Sequence, residues 1–267
     1  MWNFHEIGLV KNSLSLYIVF FICSCINTNE KIEQKDGSEI HNSTNDSLLS
    51  INSFKSIKVV TKPIICTLEL LLIENGLIDI QTLDSTLKID VRYSSLNNFM
   101  KEDVYGELEK IYLQKTVAQD LVKSNSYLKS IDSNLVLLVY DGVRPRSVQQ
   151  KMWDVLDMPI HEKTKFVSNP KNGSIHNYGC AIDLTIVTLN GDVLDMGARY
   201  DDIRKIAYPR HEDRFLKSGE LLLSQVENRK LLRKVMKKGG FYNIQTEWWH
   251  FNRYNRTKAR TLYRIIE

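Results

Sequence analysis

Ser174-Ile175-His176-Asn177-Tyr178-Gly179-Cys180-Ala181-Ile182-Asp183-Leu184-Thr185-Ile186-Val187-Thr188-Leu189 is the stretch on which the reading of this chain turns. Its first half is a loop, following Gly173 and holding Gly179, a residue that permits a tight approach. Its second half, residues 181–189, is rich in β-formers and reads as a strand. Asp183 stands inside that strand between Ile182 and Leu184, so its carboxylate is expected to be buried, and a buried carboxylate needs a partner. A metal ion would serve, and so would a structural salt bridge. His176, taken alone, reads as a surface-loop histidine.

Working outward, Asn190-Gly191-Asp192 turns the strand back toward Val193-Leu194 as a hairpin. Residues 135–140 (LVLLVY) form a short apolar run that predicts a buried strand, and residues 87–93 alternate like another. Helical spacing marks residues 107–126, a segment opening at Ser147, and residues 227–238, the last ended by Gly239-Gly240. Residues 78–83 are ambiguous, and residues 241–251 read as extended. Strands and helices mix without a βαβ rhythm, which predicts an α+β fold over a doubly wound sheet.

The last extended segment holds Glu247-Trp248-Trp249-His250. In a strand Glu247 and His250 would face opposite sides, and they converge only where the strand bends or ends. Two imidazoles and a carboxylate, with a second carboxylate three residues before the last histidine, make the inventory of a catalytic metal site with a general base. The tryptophans would form a dry wall that raises the Glu247 pKa. The alternative is an aromatic core cluster with a charged rim. A third segment, Asp141-Gly142-Val143-Arg144-Pro145-Arg146, follows the LVLLVY strand. Arg144, before a proline, is held out of the helical region and suits an oxyanion, or else pairs with Asp141. Arg146 is expected to face solvent.

The chain has 267 residues, 43% hydrophobic and 25% charged, with a net charge of +4. That is ordinary for a soluble globular protein and argues against a nucleic-acid partner. Arg253, Arg256, Lys258 and Arg260 read as a solvated face, and His211, in a charged run, as surface. Residues 14–23 (LSLYIVFFIC) are too short for a comfortable membrane span, which needs about 20 residues, and suit a signal peptide. The run closes on Ile22-Cys23-Ser24-Cys25, which resembles a bacterial lipobox with Cys25 as the lipidated residue. A plain secretory signal and an uncleaved anchor are the alternatives. Residues 1–25 are thus expected to be a leader, 26–56 a flexible polar tether, and 57–267 one folded domain. An exported lipoprotein of the periplasm or cell envelope follows, or else a secreted one. Only Cys66 and Cys180 lie in the body; two such cysteines could pair, and there is no CxxC.

At these residues the chain resembles the D-alanyl-D-alanine dipeptidases of the VanX type, in the zinc D,D-peptidase family M15. The Ser-x-His-x-x-Gly-x-Ala-x-Asp and Glu-x-x-His segments match without gaps, and the likeness spans about residues 89–251. It implies a central, largely antiparallel sheet flanked by helices, with the zinc site in a cleft on the sheet. It further implies one Zn2+ held by His176, Asp183 and His250, with Glu247 as base and Arg144 stabilising the transition state. Asp90-Val91-Arg92-Tyr93 resembles the segment whose tyrosine lines the substrate pocket. Met196-Gly197-Ala198-Arg199-Tyr200-Asp201 resembles the one whose aspartate, with Ser174, contacts the dipeptide amino group. Cys180 departs from the small residues usual there, and the leader and tether are additions. The rival readings are a D,D- or L,D-carboxypeptidase acting on peptidoglycan stems and a non-catalytic envelope binding protein. The donor set would also accept cobalt or manganese.

Overall fold

The computed structural model describes residues 65–164 and 166–267. The expected leader, the Cys25 lipobox and the tether lie outside them. In chain order the elements are α1 (Thr67–Glu74), β1 (Ile78–Asp79), β2 (Lys88–Ile89), β3 (Tyr112–Leu113), α2 (Lys115–Ile131), β4 (Leu135–Asp141), α3 (Arg146–Val155), α4 (Ile160–Lys163), β5 (Ala181–Thr188), α5 (Glu212–Ser218), α6 (Leu223–Lys238), β6 (Tyr242–Asn243), β7 (His250–Asn252) and α7 (Arg256–Leu262). The fold is α+β.

The main sheet runs β2-β4-β5-β7-β6, and β1 pairs with β3 separately. β2 lies parallel to β4, and the other pairs in the main sheet are antiparallel. β4 and β5 are the central strands, and nearly every residue in them is buried. Their two faces differ, because successive side chains in a strand point to opposite sides. Leu135, Leu137, Val139, Ile182, Leu184 and Ile186 join a core with Leu121 and Leu128 of α2 and Leu232, Val235 and Met236 of α6. The opposite face carries Val136, Leu138, Tyr140 and Val187, with Tyr200 packed on them. Asp183, between Ile182 and Leu184, therefore points away from the helical core.

The register shifts between Val139 and Asp141, so that Asp141 stands opposite Asp183. Such a bulge re-aims a side chain. Here it brings a second buried carboxylate to the Asp183 face.

Three expectations need correction. Residues 87–93 form strand only at Lys88–Ile89; the chain then turns through a 3-10 helix, Arg92–Ser94. That turn lets the Tyr93 carbonyl accept from the amides of Val104 and Tyr105. The helix expected from residue 107 begins at Lys115, because Tyr112–Leu113 is taken up by pairing with β1. Leu108 and Ile111 are still core residues, which is why their spacing resembled a helix. Arg146 does not simply face solvent: it opens α3 and pairs with Glu267, Nη2 to Oε1 at 3.4 Å. Among the described residues Cys66 and Cys180 are unpaired thiols, and burial pushes the Cys180 pKa up to about 12.

Candidate active site

Asp183 and His250 are a directly opposed pair across β5 and β7, which puts both side chains on one face. β7 begins at His250, so Glu247 lies in the loop before it and escapes strand alternation. His176 opens a 3-10 helix, His176–Tyr178, closed by Gly179 at φ +63°, a left-handed conformation that favours glycine. The Arg144 amide donates to the His176 carbonyl at 3.1 Å, docking this turn against the chain leaving β4.

Three ligand atoms converge. His176 Nε2 lies 3.1 Å from His250 Nδ1, which lies 2.9 Å from Asp183 Oδ1. His176 Nε2 and Asp183 Oδ1 are 3.4 Å apart. Tetrahedral zinc with bonds of about 2.0–2.1 Å holds its ligand atoms roughly 3.3 Å apart, close to this triangle. The tautomers agree as well. His176 Nδ1 sits 2.6 Å from the Gly142 carbonyl, and His250 Nε2 sits 3.1 Å from Asn252 Oδ1. These oxygens accept, so the outer nitrogens carry the protons and the inner nitrogens offer lone pairs. The donor set thus fits a metal ion. Among the described residues, His176, Asp183 and His250 form the group able to hold one. Burial alone would raise the Asp183 pKa, but the two histidines outweigh it and hold the carboxyl well below its ordinary range.

Glu247 Oε2 is 3.9 Å from His250 Nδ1, and its side chain is 31% exposed. Burial raises its pKa, His250 opposes that, and the Asp183 charge adds to it. The tryptophans are buried and set edge to face, their rings 5.5 Å apart, with Trp249 also against Tyr200. Arg144 is buried, with Nε and Nη2 both donating to Asp141 Oδ2, the former at 3.1 Å. Its Nη2 is 3.8 Å from Asp183, and the guanidinium lies over the Tyr93 ring. The salt bridge weighed for Arg144 therefore exists, and it fixes the guanidinium beside the metal group.

Asp201 sits at φ +61° and accepts from the Tyr93 hydroxyl at 3.1 Å. Burial, then the charge of Asp183, pushes its pKa well above the usual carboxylate range. Ser174 Oγ is buried and has no hydrogen-bond partner among the described residues. Tyr93, Arg144, Ser174, His176, Asp183, Asp201, Glu247 and His250 all line one cavity of about 270 Å3.

Other contributors escaped the sequence reading. Tyr200 donates to Asp183 Oδ2 at 3.2 Å. Asn177 binds the Arg144 carbonyl at 2.7 Å and receives the Ser174 amide at 2.6 Å, tying two candidate residues together. Tyr105 donates to Asp141 at 2.6 Å. Asn177 and Tyr200 lie within residues 174–189 and 196–201, but nothing in spacing marks their partners. The basic residues near the C-terminus are also more than a solvated face. Arg253 pairs with Asp120 at 2.7 Å, Arg260 reaches the Tyr178 hydroxyl, and Arg256 lines the cavity. His211 is half-buried, stacked on Tyr208, and lies outside the metal group.

A family of peptidases matches this chain: the family model described as D-ala-D-ala dipeptidase covers residues 73–266. The chain is 31% identical to the D-alanyl-D-alanine dipeptidase of Escherichia coli over 66% of its own length and 83% of the relative's. With the D-alanyl-D-alanine dipeptidase of Enterococcus faecalis it shares 26% identity, over 67% and 91% of the two chains. A solved LD-carboxypeptidase, LdcB, overlaps 57% of this chain and 63% of its own at 18% identity and a TM-score of 0.34. The protein is thus a peptidase. It belongs to the D-alanyl-D-alanine dipeptidase family.

Proposed function

We propose that this protein hydrolyses free D-alanyl-D-alanine to D-alanine, with zinc held by His176, Asp183 and His250. The observation that carries the proposal is the 2.9–3.4 Å triangle of ligand atoms with Glu247 and Arg144 both beside it. The ion's chemistry is Lewis-acid polarisation of the scissile carbonyl and acidification of water. Glu247 takes the proton of the attacking water and delivers it to the leaving amine; its raised pKa suits both transfers. Arg144, locked by Asp141, donates to the oxygen that becomes negative.

Substrate size and charge support the dipeptide. A cavity of about 270 Å3 falls below the roughly 300–1,000 Å3 of sites for drug-sized ligands. Asp201 is a buried carboxyl crowded by another carboxylate, and an ammonium group would relieve that strain on its charge. Tyr93 and the unpartnered Ser174 hydroxyl flank the same cavity, where they complete the amine's contacts. A carboxypeptidase acting on peptidoglycan stems would have to place an acylated nitrogen there. A binding protein that kept the metal for structure would need neither Glu247 nor Arg144.

The test is hydrolysis of D-Ala-D-Ala beside an N-acylated D-Ala-D-Ala peptide by the zinc-loaded protein. Cleavage of the free dipeptide alone supports the reading. Cleavage of the acylated peptide moves the protein to carboxypeptidase chemistry, and zinc binding without either cleavage leaves a binding protein.

We also read residues 1–25 as an exporting leader with Cys25 lipidated, placing the enzyme at the cell envelope. The support is the apolar run followed by Ile22-Cys23-Ser24-Cys25. Incorporation of labelled palmitate that survives Cys25→Ser would refute it.

A further inference from the structure

The dipeptide proposed above is a zwitterion at neutral pH, and its carboxylate needs a partner as much as its amine does. Among the described residues, the cavity is lined by four carboxyls, Asp183, Asp201, Asp202 and Glu247, and no lysine. Its guanidiniums are Arg144 and Arg256. Asp183 belongs to the metal group and Asp202 is paired with Arg204, so the cations of the lining decide where a substrate carboxylate can sit.

The two arginines are not equivalent. Arg144 is buried and spends Nε and Nη2 on Asp141. Arg256, the first residue of α7, is exposed. Its Nη1 donates to the carbonyls of Asn172 and Gly173, the latter at 3.0 Å. Those bonds aim the guanidinium without neutralising it, since backbone carbonyls carry no net charge. No carboxylate among the described residues lies within ion-pairing distance of Arg256, whereas Arg253, three residues earlier, is paired with Asp120. The Gly173 carbonyl also ties Arg256 to the segment that continues into Ser174 and His176.

We propose that Arg256 is the residue that recognises the substrate's C-terminal carboxylate, making the site selective for a free α-carboxylate at one end as Asp201 makes it selective for a free amine at the other. The inference rests on the dipeptidase reading and adds a specificity residue to it. Guanidinium and carboxylate match as two parallel N–H···O bonds, a geometry lysine lacks.

The experiment compares D-Ala-D-Ala with its C-terminal amide, using the zinc-loaded full chain, for wild type, R256Q and R256K. Wild type should favour the acid by about tenfold or more in kcat/KM, in line with a charged hydrogen-bond pair. R256Q should raise KM for the acid about tenfold to a hundredfold, with kcat changed less than about threefold. Its rate on the amide should barely change, so the acid preference disappears. R256K should retain an intermediate preference. A purely structural role through Gly173 and Ser174 would lower both substrates alike, and that result overturns the proposal. So does an acid preference that is absent from wild type or unchanged in both variants. If R256Q does not fold, the R256K ratio decides by the same rule. Failure of wild type to cut the acid at all would instead sink the dipeptidase reading.

Discussion

His176 Nδ1 donates to the carbonyl oxygen of Gly142 at 2.6 Å, so the chain leaving β4 sets which ring nitrogen faces Asp183 and His250. A residue with no polar side chain thereby controls a candidate metal ligand. A Cβ at Gly142 would sit 2.7 Å from the Tyr112 carbonyl oxygen and 2.8 Å from Ile111 Cγ2, so Gly142→Ala must move this backbone. Loss of such an outer hydrogen bond typically costs 10–100-fold in metal affinity. Zinc competition with a chromogenic chelator should show a weakening of about that size, with the far-ultraviolet dichroism unchanged.

His176→Ala should abolish stoichiometric zinc binding and activity together. Glu247→Gln should keep the metal and lower kcat by roughly 10²-fold or more, since acid–base terms are about that large. Metal analysis run beside the kinetics separates the two roles. A Glu247→Gln enzyme with wild-type turnover would remove Glu247 from the mechanism.

The raised pKa of Glu247 fixes the sign of a pH effect. A general base works deprotonated, so activity falls as pH drops through its pKa. Without metal, the Glu247 carboxyl should titrate above the ordinary glutamate value of about 4.3, read by carboxyl-carbon NMR against Glu247→Gln. A titration at or below that value would contradict the burial-driven shift.

Arg229 of α6 is fully buried and holds both ends of the segment that carries Tyr200 and Asp201. Its Nε donates to the Met196 carbonyl at 2.6 Å and its Nη1 to the Ile206 carbonyl at 3.1 Å. Its Nη1 also lies 3.6 Å from Glu212, itself bonded by Arg233. Arg229→Met should destabilise the fold by about 2–4 kcal/mol, since it strands the Met196 and Ile206 carbonyls at about 1–3 kcal/mol each, while Arg233 still satisfies Glu212. Urea unfolding measures that loss, and a rise in KM should accompany it as the Tyr200–Asp201 wall loosens.

Glu69, which is not among the cavity-lining residues, contributes a pH-dependent stability. Burial alone would raise its pKa, but the Lys110 ammonium and the Tyr112 hydroxyl, each bonded at 2.6 Å, outweigh that and lower it. A depressed folded-state pKa stabilises above the unfolded value, about 4.3, and the gain is lost as pH falls through the folded value. The difference in urea midpoint between wild type and Glu69→Gln should be full at neutral pH and shrink below about pH 4.3. A difference that grows in acid would reverse the assignment.

The sequence by itself determined what is local. The apolar runs at residues 135–140 and 181–189 became β4 and β5, because a run of β-formers with buried neighbours has few other places to go. The spacing of His176, Asp183, Glu247 and His250 marked side chains that line one cavity. Residues 87–93 and 107–126 misled, since core residues in loops imitate strand and helix periods. Only the tertiary structure decided relations between distant segments. It set Asp183 opposite His250 across two strands, placed Asp141 beside them through a bulge, and gave each imidazole its outer acceptor. It also left Arg256, one charge among several in the sequence, lining the cavity with no carboxylate among the described residues within ion-pairing distance. Residue types and short spacings follow from covalent order. Tautomer, charge pairing and cavity lining depend on which segments pack together, and that is decided by the whole chain burying its apolar surface at once.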